Sequence, residues 1–214
     1  MSYWQKSGAT TQKIANDLED LLGKPEGSVE LHRLIAQIYE HNFGREPTAT
    51  ESAYWLTVVR DPTRRQVQKP DAPDFVTYNC YAALMNYFPQ WLKTDAADGE
   101  RRNLVNRSYF EVFGRVASVE ELNYWRDRIA KDGTPYYQLT IINTNWLLGD
   151  SPQQTTEVSE MIRRAYTTAG KPLPTESQEG GWVKRLRGQG LTFKQLVTML
   201  KNQRGSRYVA TPGA

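Results

Sequence analysis

The sequence predicts an all-α fold of three divergent helix–loop–helix repeats packed as one helical domain or short array, and three observations carry that prediction. Apolar residues recur at helical spacing through most of the chain. Strand signals are poor, with no sustained alternation and no Asn-Gly hairpin. One aromatic and glycine pattern also returns at a fixed offset.

That pattern is clearest in YEHNFGREPTATESAYW at 39–55 and YFEVFGRVASVEELNYW at 109–125. Tyr39, Phe43, Gly44, Arg45, Glu51, Tyr54 and Trp55 recur seventy positions later as Tyr109, Phe113, Gly114, Arg115, Glu121, Tyr124 and Trp125. A weaker third copy runs from Ala165 to Trp182, with Gly170 and Lys171 in place of Gly-Arg and one extra residue in the loop. Both Trp125 to Gly133 and Trp182 to Gly190 span eight positions, and six more lead to the leucines of the next apolar run. The first glycine of each unit ends a helix, because a left-handed C-terminal cap suits glycine. The second helix then opens on a capping box: Thr48 with Glu51, Ser118 with Glu121, and Thr175 with Gln178. Each cap precedes its tryptophan by seven residues, which puts the tryptophan two turns into the helix.

Taken in order, TTQKIANDLEDLLG predicts a helix over 11–22, and SVELHRLIAQIYEHNFG one over 29–43 behind a Ser28 cap. Further helices are expected near 49–59, 76–88, 99–113, 119–131, 136–148, 156–169, 176–188 and 192–203. The organisation expected is an N-terminal helix (1–27), repeat 1 (28–95), repeat 2 (96–150), a basic repeat 3 (151–208) and a flexible tail (209–214). Repeat 1 carries an insertion over 60–74, whose three prolines forbid a regular helix. Such an insertion suits either a binding face or a tolerated surface loop. At 214 residues the chain can bury a core without disulfides, and its single cysteine, Cys80, reads as a small hydrophobe.

The motif Tyr-x3-Phe-Gly-Arg, then a short loop, Tyr-Trp and a later glycine before an apolar helix, resembles the bacterial repeat family called domain of unknown function 4214. GREPTATESAYW and GKPLPTESQEGGWVKRLRGQGLTFKQLV carry the resemblance, which covers about residues 30–208 apart from the insertion. The chain departs from the pattern where the family often has Asp after the proline, and in the second copy, where VAS lacks the proline. A fainter similarity connects it to phycobilisome linker domains, which are helical and basic and hold other proteins together. Members of the repeat family often accompany surface-layer, adhesive or calcium-repeat secreted proteins, and also occur in phage and cell-envelope assemblies. The resemblance therefore implies an adaptor role and supplies no active site.

Enzymatic signatures are missing from the sequence. His32 and His41 lie nine apart on one expected helix, which turns them to opposite sides, so they do not form a metal-ligand pair. No phosphate loop, dinucleotide fingerprint, nucleophile elbow or calcium loop occurs, and no catalytic residue, metal or cofactor is expected. Arg45, Arg115 and Lys171 follow the capping glycines, where a cation complements the helix dipole and can bond the last carbonyls. The Tyr-Trp pairs read as core anchors between helices, with a stacking platform for bases or sugars as the other reading.

Charge is less evenly spread. Residues 1–179 sum to −4, whereas 180–214 hold no acid and seven cations: Lys184, Arg185, Arg187, Lys194, Lys201, Arg204 and Arg207. Such segregation suggests an anionic partner: a protein with an acidic surface first, nucleic acid second, or an anionic membrane. The sequence has no classical signal peptide and no apolar span long enough for a bilayer. The expectation is a structural or adaptor protein in the cytoplasm or in an assembled bacterial or viral particle. The alternatives are a nucleic-acid-binding helical protein using the basic repeat, and a glycan-binding or enzyme-accessory module using its aromatics.

Overall fold

A computed structural model describes Lys24 and residues 27–60 and 80–202. These residues form nine α-helices and one 3-10 turn, with no strand among them. The helices are α1 (Ser28–Phe43), α2 (Ala49–Arg60), α3 (Cys80–Trp91), α4 (Asp98–Phe113), α5 (Val119–Asp132), α6 (Tyr136–Leu147), α7 (Pro152–Thr168), α8 (Glu176–Gln189) and α9 (Phe193–Asn202). The 3-10 turn, Asp95–Ala97, precedes α4. The helix expected at 11–22, the insertion 60–74 except Arg60, the start of the helix expected from 76, Arg204, Arg207 and the tail lie outside the described residues.

The described chain divides into two compact units, the first reaching Ala97 and including 130–135, the second covering 98–129 and the residues from Tyr136 on. In the first unit, α1 packs on both α2 and α3. Its buried residues Leu31, Ile35, Ile38, Tyr39, Asn42 and Phe43 repeat at three and four positions, the stripe an amphipathic helix turns to a core. In the second unit α4 packs on α6, α7 and α9, while α7 also meets α6, α8 and α9. Leu104, Val112, Ile129, Leu139, Met161, Ile162, Leu196 and Leu200 are fully enclosed there.

Two helix starts differ from the sequence expectation. Gly27, not Ser28, is the N-cap of α1, with no side-chain cap, and Ser28 is already helical. Ser28 instead accepts from His32 Nδ1 at its carbonyl, 2.7 Å away. Helix α7 begins at Pro152 rather than 156, because Ser151 forms a full capping box with Gln154 and Pro152 takes the first helical position. Proline is suited to that position, where its missing N–H breaks no bond. Gln154 also donates to the Trp146 carbonyl at 2.7 Å, satisfying a carbonyl near the end of α6. At its other end, α3 runs on to Trp91 through Pro89.

Candidate interaction surface

The same hydrogen bond forms three times. Trp55 Nε1 donates to Tyr39 Oη at 2.7 Å, Trp125 Nε1 to Tyr109 Oη at 3.0 Å, and Trp182 Nε1 to Tyr166 Oη at 2.9 Å. The tryptophans are only 7–8% exposed. A buried indole N–H needs an acceptor, and the phenol of the preceding helix supplies it. Tyr166 lies within the third copy, Ala165 to Trp182, but the Gly-Lys and Trp pattern alone does not mark it as the counterpart of Tyr39 and Tyr109. Tyrosine to cap is nine residues and cap to tryptophan seven in all three cases, whereas Gly170 lies one residue nearer its tyrosine than Gly44 or Gly114. The extra loop residue is therefore offset by a shorter helix end.

The capping boxes are closed on both sides. Glu51 N–H donates to Thr48 Oγ1 at 3.2 Å while Thr48 N–H donates to the Glu51 carboxylate at 2.7 Å. Ser118 and Glu121 repeat those distances, and Thr175 with Gln178 gives 3.3 and 2.9 Å. Thr192 with Gln195 forms another box, also absent from the sequence reading.

Arg45 and Arg115 do not bond the last helix carbonyls. Each guanidinium turns forward and clamps the capping-box glutamate with two bonds of 2.8–2.9 Å, Arg45 on Glu51 and Arg115 on Glu121. Each also lies over the tyrosine and phenylalanine rings of its own unit, 5.2 and 5.7 Å from Tyr39 and Phe43, and 5.3 and 5.4 Å from Tyr109 and Phe113. A planar guanidinium meets a carboxylate fork and stacks on rings at once, which an ammonium cannot do. Arg115 additionally bonds Glu157 at 2.9 Å, and Glu157 bonds Arg164, whose guanidinium covers the Phe113 carbonyl at 3.0 Å. Arg164, not Arg115, thus satisfies the end of α4. Lys171 and Gln178 form no such clamp among the described residues. Lys171 N–H instead donates to the Tyr166 carbonyl at 2.9 Å, closing the end of α7.

These contacts set the charge states. The Arg45 hydrogen bonds hold the Glu51 carboxyl at about 2, well below its ordinary 4.5. Burial would raise Glu121, but the bonds from Arg115 and Ser118 outweigh it and its carboxyl is lowered. Hydrogen bonding to Glu121 raises the Arg115 guanidinium further. Burial pushes the Tyr109 phenol up to about 12. Because Glu51 is depressed on folding, its contribution to stability is complete above pH ~4.5 and is lost as pH falls through about 2. A carbon-13 carboxyl titration is expected to return Glu51 to the usual glutamate range in Arg45→Gln, with a shallower acid-unfolding slope across that window. A Glu51 titration unmoved by the change would remove Arg45 as the cause.

The Tyr-Trp pairs divide between core and surface. Tyr54 and Tyr124 are 55% and 58% exposed and stand edge-on to their buried tryptophans at 5.0 and 5.2 Å. At the matching place before Trp182 the chain has Gly181. Arg128 lies over the Trp125 ring at 5.2 Å, and Arg185 over Trp182 at 5.3 Å.

The basic segment is less uniform than its sequence implies. Lys184 and Arg185 on α8 and Lys201 at the end of α9 are exposed, and no carboxylate among the described residues pairs with them. Arg187 is half-buried and donates to Thr155 Oγ1 at 2.9 Å, so it faces α7 more than solvent. Lys194 sits 3.6 Å from Glu111 while remaining largely exposed, a pair that contributes little in water. Among the described residues there is no group of three metal-ligating side chains, and no helix is long and apolar enough to cross a membrane.

No protein-family model, curated protein or solved structure matches the chain, so the family resemblance rests on the quoted residues.

Proposed function

We propose that this chain is a non-enzymatic structural or adaptor protein that holds a larger bacterial or viral assembly together through its basic C-terminal segment. The observation supporting this most directly is the segregation of charge, −4 over residues 1–179 against +7 over 180–214. Isolated surface cations contribute little, but several in one field steer an acidic surface toward them and raise its association rate. Lys184, Arg185 and Lys201 would make the contact, with Arg204 and Arg207 following in sequence. The recurring Tyr–cap–Trp unit supports a reading of the chain as three divergent repeats, the third of which carries the basic segment. The resemblance to the domain of unknown function 4214 family is in keeping with this role, and the cytoplasm or an assembled particle is the proposed location.

Fluorescent polyglutamate and duplex DNA, titrated across a salt series, separate this reading from nucleic-acid binding. Changing Lys184, Arg185, Lys201, Arg204 and Arg207 to glutamine is expected to weaken polyglutamate binding by about tenfold or more at low salt and to flatten its salt dependence. Affinity and salt slope equal to those of the unaltered chain would reduce the segment to a solubilising face. Tight, steeply salt-dependent DNA binding with weak polyglutamate binding would favour the nucleic-acid reading.

A further inference from the structure

The first unit contains a filled aromatic cage. The Phe88 ring is met edge-on by Tyr39 at 5.2 Å, Phe43 at 4.8 Å and Trp55 at 5.2 Å. Ile38 is also buried in this core, and Trp91, three residues beyond Phe88, packs on Phe43 at 5.8 Å. The second unit builds the same frame from Tyr109, Phe113 and Trp125, with Trp146 on Phe113 at 5.8 Å. Trp91-Leu92 and Trp146-Leu147 therefore correspond, and Phe88 corresponds to Asn143. By the seventy-residue offset, Ile38 corresponds to Ser108.

The change at Phe88 removes the ring from the cage and lines it with the Asn143 amide, and the change at Ile38 puts the Ser108 hydroxyl behind that amide, wholly buried. A cavity of about 470 Å³ opens in the second unit, lined by Tyr109, Phe113, Trp125, Asn143 and Trp146 among others. That volume lies within the range of small-molecule sites. Asn143 is 3% exposed, and its Nδ2 donates to Ser108 Oγ at 3.0 Å. Among the described residues nothing donates to its Oδ1. That oxygen is open to the cavity, where a ligand O–H can donate to it in place of water.

We infer that the cavity of the second unit binds a phenol ring, the side chain of a tyrosine presented by a partner protein. The ring takes the place that Phe88 fills in the first unit, against three rings with the same edge-on preference. Its hydroxyl donates to Asn143 Oδ1. Tyr124 stands at the mouth, exposed, with Arg128 donating to its Oη at 3.3 Å. A sugar fits less well, since pyranose faces need an open flat ring and Trp125 is buried. The adaptor reading supplies the source of the ring, while the site stands on the cage.

The probe is N-acetyltyrosinamide, read by the indole N–H resonances of Trp125 and Trp146 in nitrogen-15-labelled full chain. Both signals are expected to shift on titration, with little dependence on salt. N-acetylphenylalaninamide is expected to bind several-fold more weakly, since it displaces water from Asn143 without donating to it. Methyl glucoside is expected to leave both signals in place. Asn143→Phe restores the first unit's residue and is expected to abolish the shifts. Absence of shifts in the unaltered chain, shifts that persist in a folded Asn143→Phe, or equal shifts with the glucoside would each overturn the proposal. Should Asn143→Phe fail to fold, Tyr124→Ala at the exposed mouth decides, and undiminished binding there overturns it as well. Because ring binding is read without salt dependence, it can fail while polyglutamate binding stands, and the reverse.

Discussion

Trp125→Ala is expected to cost ~3–5 kcal/mol, the range for deleting a large core aromatic. Trp125 is 7% exposed, and its indole N–H is held 3.0 Å from Tyr109 Oη, so removal leaves a void beside a phenol that loses its donor. The ring also supports Tyr124 at 5.2 Å and Arg128 at 5.2 Å, so part of the surface is loosened with the core. Tyr109→Phe separates the contributions: the ring stays, the acceptor goes, and a buried indole N–H is left unpaired at ~1–3 kcal/mol. Urea unfolding followed by circular dichroism measures both. Trp125→Ala with unchanged stability would mean that the tryptophan serves a partner and not the core.

The helical class was legible because it is written in local chemistry. Thr48, Ser118 and Thr175 each cap a helix seven residues before a tryptophan, and neither the box nor the spacing depends on distant contacts. The Ser151 cap is hard to see in sequence because Ser-Pro resembles a turn until Gln154 is counted as the third helical residue. In sequence, Arg45 and Arg115 suggest only a contact with the helix dipole, a weak and screened effect. Two charge-assisted bonds to Glu51 or Glu121 outweigh it. The cavity was the least legible feature. Trp91 and Trp146 are offset by 55 rather than 70 residues, since the 15-residue insertion intervenes, so the Phe88/Asn143 difference was hidden in sequence. Side-chain direction likewise took geometry: Arg187 and Lys184 carry the same charge three residues apart, yet Arg187 is half-buried against α7.

Gly133→Ala is expected to be as damaging as the loss of the tryptophan, for a reason confined to backbone. Gly133 has φ +71°, a conformation in which an L side chain is strained by roughly 1–2 kcal/mol. A Cβ there would also lie 2.2 Å from the Pro89 carbonyl oxygen and 3.0 Å from its carbon. Those are main-chain atoms of α3, so no rotamer change relieves the clash, and forced overpacking adds about 1–3 kcal/mol. The summed cost is ~2–5 kcal/mol. Gly190, eight residues after Trp182 as Gly133 is after Trp125, supplies the control. Its φ is +62°, but a Cβ would meet only Thr144 Cγ2 at 3.8 Å, an ordinary contact. Gly190→Ala therefore carries the backbone strain alone, about 1–2 kcal/mol. Denaturant unfolding of the two variants measures the difference. Equal losses would mean that Pro89 gives way easily; a greater loss in Gly133→Ala fixes the close approach of α3 as a constraint that only glycine meets.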